Sequence, residues 1–222
     1  MSNRGKKIVL AASTSESSEY LRSTWRQMLL GTLPSKYTRF PFYMVDANWQ
    51  NEVRDDGQAV AVPNGLRVVE SILLEKFAPE DVVVCYPDQL DLFVGEDTKV
   101  VGIHAHNPLG ITFATDVYVN FYGRTAEPIN AAEFRRLITH EAIKKHKNHV
   151  KVLVGGPGSW QIEKKNLQDE WGIDCIVEGE AEDLILDLFE RAVRGESLPR
   201  KIEGKSPKME DIPTTKNRST FG

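Results

Sequence analysis

Residues 150–160 read VKVLVGGPGSW, a run of aliphatic residues that ends abruptly in three glycines within four positions. A continuous apolar run of this kind is what a strand covered on both faces looks like, in contrast to the alternation of a half-buried one. Similar runs occur at Ile8–Ala12, Val82–Tyr86, Val100–Ile103 and Cys175–Val177, with a weaker one at Phe42–Val45. Between them lie helical patterns. Asn64 is read as the cap of a helix striped by Leu66, Val69, Ile72 and Leu73, and Asn130-x-x-Glu133 as a capping box ahead of Phe134, Leu137 and Ile138. Ala181–Arg194 carries Leu184, Ile185, Leu188, Phe189 and Ala192 on one face, acids in its first turn, arginines in its last and Gly195 as a stop. Strands alternating with helices predict right-handed crossovers and a parallel sheet with helices on both faces, an α/β fold of the flavodoxin-like, Rossmann type. Ligands of such sheets bind beyond the carboxyl ends of the strands.

The chain has 222 residues, 41% hydrophobic and 27% charged, with a net charge of −4. That balance is globular and argues against a nucleic-acid binder, which needs a strong basic field. No run approaches the roughly 18 apolar residues of a membrane span, and the N-terminus does not read as a signal peptide, so a cytoplasmic protein is expected. Cys85 and Cys175 are too few for a disulfide framework or a cysteine-only metal site. Residues 13–63 fit the scheme poorly; a helix is expected near Glu19–Leu30. Residues 196–222, rich in Lys, Pro, Thr, Ser and Glu, are expected to be a linker or tail after a domain spanning 1–195.

The residues after each strand are the candidate site. Gly155, Gly156, Pro157, Gly158 and Ser159 form a turn with more glycine than a simple βα connection needs, which favours contact between bare backbone and a ligand. His104, Ala105, His106 and Pro108 follow the third clear strand. Two histidines at i, i+2 can share a metal, but no carboxylate stands at a diagnostic spacing, so packing and solvation are the favoured roles. His140, His146 and His149 beside Lys144, Lys145 and Lys147 are read as a solvated helix end. Ser13 and Thr14 after the first strand cap a helix or donate to a ligand. Glu178, Gly179 and Glu180 after the last offer carboxylates to a ligand or open the final helix.

The succession "FAPEDVVVCYPDQLDLFVGEDTKVVGIHAHNPLGI", "VKVLVGGPGSWQ" and "WGIDCIVEGEAED" resembles the N-terminal cobalamin-binding domain of class B radical S-adenosylmethionine (SAM) proteins, over most of residues 6–195. The end, "SPKMEDIPTTKNRSTFG", resembles the linker that leads into the radical SAM barrel of that family. The resemblance implies a corrin ring over the carboxyl edge of the sheet and a nucleotide tail in a groove beside Gly155 and Gly156, with Ser159 near its polar groups. His104 and Ala105 fall where the family carries a Ser-x-Leu motif, and STSESSEY stands where many cobalamin domains carry Asp-x-His-x-x-Gly. No histidine from that first loop is therefore expected on cobalt. The chain also has no Cys-x-x-x-Cys-x-x-Cys loop, so neither an iron–sulfur cluster nor SAM is expected on it, and no residue is assigned a catalytic role. The role implied is to present cobalt, as a methyl carrier, to a radical SAM domain or subunit. Two rival readings are a metal-dependent hydrolase using His104 and His106 with Asp116 or Glu180, and a flavin- or nucleotide-binding module with the glycine turn on a phosphate. A wide apolar floor of Pro108, Leu109, Ile111 and Phe113 is expected under the ring.

Overall fold

A computed structural model describes residues 3–17, 33–38, 51–112, 115, 117, 127–207, 212–217 and 219. Six strands form one parallel sheet: β1 (Ile8–Ala12), β2 (Val82–Cys85), β3 (Val100–His104), β4 (Lys151–Gly155), β5 (Cys175–Glu178) and β6 (Lys201–Glu203). Their order is β2-β1-β3-β4-β5-β6, so the winding reverses between β1 and β3. The expected helix at Glu19–Leu30, the weak strand at Phe42–Val45, and Phe113 and Asp116 lie outside the described residues.

Because successive strand residues point to opposite faces, the core divides in two. Ile8, Leu10, Val82, Val84, Leu153, Cys175 and Val177 pack on one side against α2 (Asn64–Leu73) and α7 (Glu182–Val193). Val9, Ala11, Val83, Val101, Ile103, Val152, Val154 and Ile176 pack on the other side. That second face is covered by α3 (Leu90–Phe93), α4 (Ile129–Ile138), α5 (Glu141–His146) and α6 (Trp160–Lys164). A short helix, α1 (Thr14–Ser17), follows β1 directly.

Three local readings change. Asn64 and Asn130 do not cap their helices. The caps are Pro63 and Pro128, each with extended backbone and no side-chain cap bond, so the asparagines sit inside the first turn. A proline has no N–H to leave unsatisfied there, and its ring presets the chain for entry. The region expected to be linker contributes β6, which pairs in parallel with β5 from Ile176↔Lys201 to Glu178↔Glu203. Farther along, Ser219 forms a bridge with Val62, and Asn217 donates from Nδ2 to Glu70 Oε1 of α2 at 3.0 Å.

Candidate functional site

At the carboxyl edge, between α2 and α7, lies a cavity of about 340 Å³. Its sheet wall is Leu10, Gly102, Ile103, His104, Leu153, Val154, Gly155 and Val177. Gly65, Leu66, Val68 and Val69 of α2 form one side, and Ala181, Glu182, Ile185 and Phe189 the other. Gly156, Pro157, Gly179 and Glu180 form the rim. The walls are overwhelmingly apolar, and among the described residues no lysine or arginine lines them.

Both β3 and β4 place glycine on the cavity face of the sheet, with opposite consequences. A Cβ on Gly102 would come within 2.7 Å of Leu10 Cδ2 and 3.0 Å of Phe189 Cζ, so glycine lets the Phe189 ring settle directly on the sheet. A Cβ on Gly155 would meet only Val177, at an ordinary 3.5 Å. No protein packing therefore demands glycine at 155, and its bare backbone faces the cavity.

Gly156 and Gly158 are different. Gly156 has φ +110°, and a Cβ there would stand 2.8 Å from Ala105 O. One on Gly158 would stand 2.1 Å from His106 O. These two glycines let the loop after β4 press against the loop after β3. Ala105 N–H donates to Gly155 O at 2.7 Å and Gly158 N–H to Ala105 O at 2.8 Å. The buried Gln161 completes the lacing, accepting from Leu109 N–H at 3.0 Å and donating to Asn107 Oδ1 at 3.0 Å. Much of the glycine excess thus serves loop against loop, and Gly155 is the position whose bare backbone lines the cavity with room to spare.

His104 stands at the mouth. Its Nδ1 lies 2.9 Å from Glu16 Oε2, while the other oxygen of Glu16 accepts the His106 backbone N–H at 2.9 Å. A carboxylate only accepts, so the pair places a proton on Nδ1, and in the neutral ring the lone pair is on Nε2. That nitrogen points toward Gly65, whose missing side chain would begin 3.6 Å away. The arrangement is a histidine oriented by a carboxylate, one nitrogen held and the other available to a donor or an electrophile. Glu16 was absent from the sequence reading: it is 88 residues from His104, and only the adjacency of β1 and β3 brings them together.

The remaining candidates fall outside the cavity wall. Ser159 is 1% exposed and donates from Oγ to Val177 O at 3.0 Å, tying the β4 loop to β5. Ser13 Oγ lies 3.2 Å from Ser15 Oγ, and Thr14 Oγ1 is buried without a partner among the described residues. Ala105 and Pro108 are buried in the loop junction, and the His106 backbone is held while its residue is exposed. Glu178 pairs with Lys201 at 3.0 Å. Of the expected floor, Pro108 packs against Gly158 and Leu109 is held by Gln161; neither lies beneath the cavity. His104 and His106 do not converge with a third metal-ligating group among the described residues. No helix among the described residues is long and apolar enough to cross a membrane.

Compared with known proteins, the chain matches no family model, no curated protein and no solved structure.

Proposed function

We propose that this chain is a cobalamin-binding module of a radical SAM-type protein, holding the nucleotide tail of the cofactor in the cavity between α2 and α7. The observation that carries the reading is a largely apolar hollow at the carboxyl edge, one wall of which is the unneeded glycine at 155. Its volume of about 340 Å³ lies at the small end of ligand sites, roughly 300–1,000 Å³. That is room for a flat aromatic base with its sugar, not for a macrocycle, which would remain outside over the strand tips. The residues present fit such a tail. Leu66, Val69, Ile185 and Phe189 supply apolar faces, Gly155 close approach, and Glu180 and Glu182 acceptors for hydroxyl groups at the rim.

Bound cobalamin supplies a cobalt centre able to carry a methyl group to a radical-generating partner. The chain's own part is to bury the tail, exclude water from the mouth and hold His104 with its Nε2 lone pair facing outward through Glu16. The flavin or nucleotide reading would use the same hollow, since the cobalamin tail also carries a phosphate; yellow absorbance retained after incubation with flavin would favour it instead. The hydrolase reading fares worse because His104 and His106 do not converge with a third metal-ligating group among the described residues.

The test is reconstitution with hydroxocobalamin, desalting and a visible spectrum. Corrin bands are expected to stay with the protein. A Gly155→Val variant adds bulk to the cavity at a strand position free of backbone strain, and it is expected to lose the bands while its circular dichroism stays native. No retention by the unmodified chain overturns the reading; full retention by Gly155→Val moves the ligand out of this cavity.

A further inference from the structure

The opposite, amino edge of the sheet carries a second chemistry. Glu96, in the turn before β3, and His146 and His149, around the turn before β4, bring one ligand atom each to within 4.8 Å of one another. His146 ends α5 and is 7% exposed, which departs from the solvated helix end expected for it. Its ring stands edge-on to that of His149, centroids 5.4 Å apart.

The protonation pattern of His149 is set by its neighbour. Nδ1 lies 2.8 Å from Asn148 Oδ1, an acceptor, so the proton resides on Nδ1. In the neutral ring Nε2 then holds a lone pair, and it is buried with no hydrogen-bond partner among the described residues. An unsatisfied buried acceptor is costly, so a partner for it is expected. Second-shell support through the other ring nitrogen is how metal-bound histidines are oriented.

We propose that Glu96, His146 and His149 form a site for a divalent transition metal of the zinc class. Two imidazoles and one carboxylate suit zinc, and three protein ligands leave a fourth position for water. A small hollow of about 90 Å³ beside His146, bordered by Asn3, Asp91 and Lys145, gives that position access to solvent. Donors around tetrahedral zinc stand about 3.3 Å apart, as bonds of about 2.0–2.1 Å require. Closing from 4.8 Å is a side-chain movement, and Glu96 is exposed and can make it. The ion would fasten the entries of β3 and β4, about 15 Å along the strands from the cavity, so the site is independent of the cofactor reading.

The test uses the full chain without an affinity tag, stripped with a chelator and titrated at pH 7.5 with Co²⁺, read by its visible d–d bands, and with Zn²⁺ by calorimetry. One equivalent is expected to bind, with a rise in melting temperature. Glu96→Gln, on an exposed side chain, and His149→Ala are each expected to weaken binding at least tenfold and to remove the thermal shift, with native circular dichroism. Absence of d–d bands and of heat up to millimolar metal overturns the proposal. So does binding undiminished in both variants, which would place the ion elsewhere.

Discussion

The two edges of one sheet are built on opposite principles. At the amino edge charges are matched. Lys7 pairs with Asp81, and Asp174 is shared by Lys147 and Lys151 while accepting the Val152 backbone N–H at 2.8 Å. At the carboxyl edge the chain leaves a hollow, walls it with aliphatic side chains and glycine, and sets the pair of Glu16 and His104 at its mouth. The contrast teaches how a parallel sheet divides its labour. Ion pairs tie the amino ends of neighbouring strands together, and the hollow of about 340 Å³ opens at the carboxyl ends.

Substitutions can sharpen or break that contrast. The largest effect is expected for Phe189→Ala, because Phe189 is 2% exposed and floors the hollow against Gly102. A loss of about 3–5 kcal/mol in urea denaturation is expected. A loss below 1 kcal/mol would mean that the hollow collapses freely. Asp174→Asn, at the matched edge, is expected to cost about 1–2 kcal/mol at neutral pH, since it strips two lysines of their partner.

That loss should depend on pH. Partial burial pushes the Asp174 carboxyl upward, but Lys147, the Val152 N–H and Lys151 together outweigh it and hold the group below its ordinary value. Its stabilisation is therefore complete above the unfolded value of about 3.9 and disappears as pH falls through the lower folded value. Native and Asp174→Asn proteins should converge in stability in acid; a constant gap would remove the charge from the account.

Glu16→Gln is smaller, about 0.5–1.5 kcal/mol, because the amide keeps one of two hydrogen bonds. Its sharper readout is nitrogen NMR of His104, where Nε2 is expected to be the unprotonated nitrogen in the native chain. No chemical change is expected at the sheet's centre. Burial first, then the nearby Asp174, raises the Cys175 thiol to about 11, with Arg191 opposing, and burial alone raises Cys85 further. Both should ignore thiol reagents at pH 8 until denaturant is added; labelling of the native protein would show that one edge opens.

The sheet was legible in the sequence because strands buried on both faces write themselves as uninterrupted aliphatic runs, as in Ile8–Ala12 and Val82–Cys85. β6 was not, since Lys-Ile-Glu has a single apolar residue and owes its strand to β5 beside it. The stripes of α2 and α7 were visible, but not the gap between them, which follows from how two helices and Gly102 meet. Glu16 with His104, and Glu96 with His146 and His149, are products of topology, and no local spacing announces them. Pro63 and Pro128, by contrast, stood in plain view before their helices and were the better cap signal.

The lacing of the β3 and β4 loops has a consequence for traffic. Backbone wedged against backbone at Gly158, with Gln161 stitched through both loops, makes that side of the entrance a fixed jamb. The α7 side is similarly blocked, because Gly204 abuts Glu180 O closely enough to exclude a Cβ. Lys76 and Glu190, 2.8 Å apart, join the helices at the end remote from the mouth. Among the described residues, the side of the entrance without such lacing is the first turn of α2, where Asn64 and Gly65 are exposed.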